Sequence, residues 1–133
     1  MAHVLIIDDD APLRAMLAEI LQTAGHTTTE AADGVEGAQR YRANPADVVL
    51  CDIVMKQSGL TLIRILTEQY PNVRIIAISG VDRVRLAHAK GCGAMRTLRK
   101  PFSPSELIDT VTEVLAAEPG SPAPESAAGP SGG

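Results

Sequence analysis

Aromatic residues are scarce in this chain. Its 133 residues include no Trp, one Phe and two Tyr. A core must therefore be aliphatic, and stacking of nucleobases has few side chains to use. The two cysteines, Cys51 and Cys92, stand at no spacing that suits a metal knuckle or a dithiol pair. No apolar run is long enough to span a bilayer. The N-terminus, Met1-Ala2-His3, enters an apolar stretch at once and does not open as an export signal, so a cytoplasmic protein with reduced thiols is expected. Cations are outnumbered, 12 Lys and Arg against 16 Asp and Glu, for a net charge of -4. That balance argues against a nonspecific nucleic-acid binder.

What is present is enough for one packed domain, with 45% hydrophobic residues. The composition changes near Ala117, after which Pro, Gly, Ser and Ala dominate and no large apolar residue occurs. The expected organisation is a domain over residues 1–117 and a disordered tail over 118–133, which cannot bury enough surface to offset the cost of ordering.

Within the domain, short apolar strands alternate with amphipathic helices. Strands are expected at Val4–Ile7, His26–Glu30, Val48–Asp52, Val73–Ile78 and Ala94–Leu98. Asp10, just before Pro12, caps a first helix carrying Leu13, Met16, Leu17, Ile20 and Leu21 at helical spacing, and Gly25 stops it. Asp33 with Glu36 and Ser103 with Glu106 read as capping boxes for the second and last helices. Leu60, Ile63, Leu66 and Tyr70 mark a third helix, and Asp82 to Lys90 a short polar fourth. Five strands alternating with five helices imply an α/β fold, an open parallel sheet covered on both faces. Ligands of such sheets bind beyond the carboxyl ends of the strands.

The residues at those ends carry the chemistry. Asp8 and Asp9 follow the first strand, Asp52 ends the third, Ser79 follows the fourth, and Lys100 follows the fifth, directly before Pro101. Singly, each has a plain structural explanation: a solvated loop, a turn hydroxyl, a surface charge. Jointly, carboxylates, a hydroxyl and an ammonium at successive strand ends make a site for a divalent cation and a phosphoryl group. Cys51 reads as core packing and Phe102 as a packing anchor. Arg14 reads as a surface charge paired with nearby acids. His3, His26 and His88 have no partner that the sequence suggests.

The ordered set closely resembles the receiver domain of two-component response regulators. It comprises Ile7-Asp8-Asp9, Asp52 with Met55 and Gly59 after it, Ser79-Gly80, Gly93-Ala94 and Lys100-Pro101-Phe102. The resemblance covers about Ala2 to Ala117. It implies the flavodoxin-like, doubly wound fold with strand order 2-1-3-4-5 and a cis Lys100-Pro101 bond. It implies Mg2+ held by Asp9, Asp52 and the Val54 carbonyl, with Asp8 acting mostly through water. Asp52 is then the phosphoacceptor, Lys100 neutralises charge, and Ser79 acts as a switch on the phosphoryl group. The expected partners are a sensor histidine kinase or histidine phosphotransfer protein and a downstream protein target, without nucleic acid or membrane insertion. A homodimer is a further arrangement the resemblance allows. Such a chain is a phosphoacceptor that assists its own phosphorylation and dephosphorylation, and not an enzyme proper.

Departures from the family pattern matter too. Lys56 stands where Pro is usual, and the loop before Gly59 is one residue short. Thr97 occupies the switch position where an aromatic ring is common. Val54 and Val81 lie at two positions that influence loss of the phosphoryl group, and neither can hold an attacking water, so slow self-dephosphorylation is expected. Seven of the 12 basic residues lie between Arg74 and Lys100, with Asp82 the sole acid there. That reads either as a docking face for an acidic partner or as a solvated basic surface. Two alternatives to a phosphorylated regulator stay open: a pseudo-receiver that binds partners without phosphate, and a magnesium-dependent phosphohydrolase using Asp8 with Asp10.

Overall fold

Alternation along the strands sorts the core into two layers. The structure, a computed structural model, describes residues 2–55, 59–80 and 83–119. Its strands are β1 (His3–Ile7), β2 (Thr27–Ala31), β3 (Val48–Asp52), β4 (Ile75–Ser79) and β5 (Arg96–Arg99). They form one parallel sheet in the order β2-β1-β3-β4-β5. Leu5, Ile7, Val49, Cys51, Ile75 and Ala77 point to one face; Val4, Ile6, Val48, Leu50, Ile76 and Ile78 point to the other. The three central strands are buried on both faces, which is why they read as unbroken apolar runs. Burial pushes the Cys51 thiol far above its ordinary range.

The helices are α1 (Ala11–Thr23), α2 (Gly34–Ala43), α3 (Gly59–Gln69), α4 (Arg83–Cys92) and α5 (Pro104–Ala116). Leu17, Ala18 and Leu21 of α1 and Leu107, Val111 and Val114 of α5 pack on the Ile6 face. Tyr41 of α2, Leu62, Ile63 and Leu66 of α3 and Leu86, Ala89 and Cys92 of α4 pack on the Leu5 face. No helix among the described residues is long and apolar enough to cross a membrane.

Local signals act as the sequence suggests at three helix ends. The Asp10 carboxylate accepts the Leu13 N–H, and Gly25 has φ 98° after α1. Ser103 and Glu106 satisfy each other's backbone N–H in a full capping box. At α2 the box is half made: Asp33 accepts from Glu36, but the Glu36 carboxylate takes the N–H of Ala32 at 2.7 Å.

Some boundaries move. The amide of Ala94 bonds back to Ala89 at the end of α4, so the strand ladder begins only when Met95 N–H donates to Ile75, and β5 runs Arg96–Arg99. Helix α4 continues to Cys92 because Leu86, Ala89 and Cys92 share its buried stripe. Tyr70 follows α3 and meets Tyr41 edge-to-face at 4.8 Å. The His3 ring nitrogens lie 2.9 and 2.8 Å from the hydroxyls of Thr27 and Thr29, and His26 Nδ1 accepts the Ala2 N–H.

One correction bears on charge. Arg96 is not part of an exposed basic surface: its side chain is 7% exposed, pairs with Glu113 and donates to the Met95 carbonyl at 2.8 Å. Arg85, Lys90 and Arg99 remain exposed. Lys56, Val81, Asp82 and the tail from residue 120 lie outside the described residues.

Candidate functional site

Parallel strands deliver their carboxyl ends to one edge, and the switch point falls between β1 and β3, where the chain turns in opposite directions. Asp8 and Asp9 follow β1; Asp52 is the last residue of β3. One oxygen of each of these three carboxylates lies within 4.8 Å of the others. Asp8 is 1% exposed and Asp52 6%, while Asp9 is open to solvent. Asp52 Oδ1 accepts the Val54 N–H at 2.9 Å, closing the turn after the strand. Gly59 lets α3 start against that turn, since a Cβ there would stand 2.3 Å from the Asp52 carbonyl oxygen.

Lys100 enters from β5. Its N–H donates to the Ser79 carbonyl at 2.9 Å, which ties the two strand ends together, and the Lys100–Pro101 bond is cis. The ammonium lies 3.4 Å from Asp52 Oδ2 and 3.8 Å from Asp8 Oδ2. Ser79 is fully buried at the end of β4. Thr97 is half-buried in β5, opposite Ala77. Val54 is 37% exposed beside the carboxylates in sequence.

Electrostatics leave this pocket unbalanced. Burial, foremost, pushes the Asp8 carboxyl above its usual range, and the charges of Asp52 and Asp9 add to the rise. The Asp10 N–H on Asp8 Oδ1 and the Lys100 ammonium oppose it. Asp8 Oδ2 is buried and accepts no hydrogen bond among the described residues. A buried carboxylate oxygen without a hydrogen bond, among converging carboxylates, fits a hard divalent cation, and Mg2+, which keeps several waters, needs only a few protein oxygens of this kind.

Two residues at the rim carry more than sequence alone suggests. Arg14, 16% exposed, donates to the Asp8 carbonyl at 2.6 Å and pairs with Glu30 at 3.0 Å. Only the parallel register, which sets Ile6 opposite Glu30, brings that acid to the site.

The family of response regulator receiver domains matches residues 4–112. The chain belongs to that family, a class of signalling domains of two-component systems. It is 33% identical over 115 residues to the chemotaxis protein CheY of Thermotoga maritima, covering 84% of this chain and 96% of that one. It is 35% identical over 118 residues to the sensor kinase CckA of Brucella abortus, covering 86% of this chain but 12% of the kinase. Among solved structures, the Vibrio cholerae chemotaxis protein CheY4 aligns with a TM-score of 0.80 at 30% identity, over 86% of this chain and 98% of that one.

Proposed function

We propose that this receiver domain takes a phosphoryl group onto Asp52 from a phosphohistidine of a partner histidine kinase or phosphotransfer protein. The carboxylate oxygen attacks phosphorus, the new O–P bond forms as the P–N bond breaks, and the imidazole leaves with that electron pair. Such a transfer asks the protein for alignment and charge neutralisation more than for covalent help. Asp9, Asp52 and the Val54 carbonyl would hold Mg2+, with Asp8 acting through a bound water. When bound, the ion neutralises charge on the phosphoryl oxygens. Lys100 contributes a fixed positive charge beside Asp52, and the Ser79 hydroxyl donates a hydrogen bond to a phosphoryl oxygen once it is in place. That bond changes the face made by α4, β5 and α5, which a downstream protein reads. Thr97 has no ring to swing inward, so the switch rests on Ser79.

The observation that carries this reading is the meeting of Asp52 with Lys100 at 3.4 Å inside a carboxylate cluster at one sheet edge. Incubation with Mg2+ and phosphoramidate, followed by intact-mass analysis, tests it. The wild type gains the mass of one phosphoryl group and Asp52→Ala does not. A folded wild type that gains nothing would instead be a pseudo-receiver.

A further inference from the structure

We propose that Arg14 is a positioning residue for the metal site, setting the peptide that joins Asp8 to Asp9. The inference rests on the magnesium reading of the carboxylate cluster.

Asp8 is restrained at three atoms. Its N–H donates to the Ala31 carbonyl at 3.1 Å, and its Oδ1 accepts the Asp10 N–H at 2.9 Å. Its carbonyl oxygen accepts from Arg14 Nη1 at 2.6 Å. These three contacts leave Oδ2 for Lys100, whose ammonium lies 3.8 Å away, and keep the Asp8 carboxylate in the cluster with Asp9 and Asp52. The Asp8 carbonyl belongs to the same planar peptide as the Asp9 nitrogen, so fixing that oxygen orients the backbone of both carboxylate-bearing residues. The guanidinium is itself held from the far side. Arg14 Nε lies 3.0 Å from Glu30 Oε1, and Glu30 is anchored in β2 opposite Ile6. A guanidinium presents donors in a fixed plane and can serve two acceptors at once; an ammonium on a flexible stem does so poorly.

Charge and positioning make opposite predictions. Arg14 is a cation near a site meant for a cation. If its charge were all that mattered, removing it would make the pocket more negative and Mg2+ would bind more tightly. If it holds the Asp8–Asp9 peptide, removing it lets both carboxylates wander and Mg2+ binds more weakly. Residues that orient metal ligands without touching the metal are typically worth about 10–100-fold in affinity.

The test is calorimetric titration of the full chain with MgCl2 alone, on wild type, Arg14→Met, Arg14→Lys and Glu30→Gln, with circular dichroism and Tm in EDTA as fold controls. The expected result is about a tenfold loss of Mg2+ affinity in Arg14→Met. Arg14→Lys, charge retained, recovers only part of it, and Glu30→Gln shows a smaller loss of the same sign. Tighter or unchanged binding in Arg14→Met overturns the proposal. If Arg14→Met fails to fold, unchanged affinity in both other variants overturns it equally. A folded wild type that binds no Mg2+ is a different outcome: it sinks the magnesium reading itself, and this inference with it.

Discussion

Replacing Asp8 by Asn should make the metal-free protein more stable. The oxygens of Asp8 and Asp52 lie within 4.8 Å of each other, a repulsion of roughly 3.5 kcal/mol at an effective dielectric of about 20. Lys100 at 3.8 Å returns an attraction of roughly 4.4 kcal/mol by the same formula, reduced because the lysine is 28% exposed. These Coulomb terms nearly cancel. What remains is the cost of burying a carboxylate, several kcal/mol, offset in part by about 1.5–3 kcal/mol for the charge-assisted Asp10 N–H bond. We expect a net gain of ~1–2 kcal/mol for Asp8→Asn at neutral pH, read as roughly 4–8 °C in Tm by calorimetry in EDTA. The sign with pH comes from the raised carboxyl. A group titrating higher in the folded than in the unfolded state costs nothing below its unfolded pKa. Its penalty grows as pH rises and is complete above the folded pKa. The gap between wild type and variant should therefore close in acid. Added Mg2+ should narrow it at neutral pH, because the ion binds the wild type more tightly than the variant: the wild type gains about 1.4 kcal/mol at ten times its dissociation constant, and the variant gains less at the same concentration. An Asp8→Asn protein no more stable than wild type in EDTA at pH 7 would refute the reasoning.

Acyl-phosphate decay should be slow in the wild type and faster in Val54→Asn combined with Val81→Glu, which adds groups able to hold an attacking water; equal decay by radiolabel loss would remove that idea. Gly59→Ala should cost ~1–3 kcal/mol in urea unfolding, since its Cβ must displace the backbone of Asp52 and Ile53, 2.3 and 2.5 Å away. A neutral result would mean that the α3 start shifts freely. Arg96→Met should lose ~1–2 kcal/mol in the same assay through its buried bonds, whereas Arg85→Ala should lose little. Equal costs would return Arg96 to the surface.

Much of the fold was legible because most elements carry a local signal, an unbroken apolar run in the central strands and helical spacing or a cap in the helices. Val48 to Asp52 is apolar on both sides because both sides are covered, and Ser103 with Glu106 closes a box within four residues of chain. That Asp8, Asp9, Asp52 and Lys100 would gather at one place was legible from residue type and position together, since the carboxyl ends of parallel strands share an edge. Where local signals ran out, expectation and structure parted. Glu36 turned to Ala32, and β5 started two residues late because the amide of Ala94 was spent on the end of α4.

The sequence by itself determined which side chains reach the sheet edge, because apolar runs fix where each strand stops and which residue stands next in the chain. Tertiary structure alone decided how those groups face one another. It set the Lys100 ammonium between Asp8 and Asp52, buried Arg96 against Glu113, and joined Arg14 to Glu30 across a strand register. The physical reason is range: periodicity and capping act over a few residues, whereas distances between charges depend on contacts made by segments far apart in the chain.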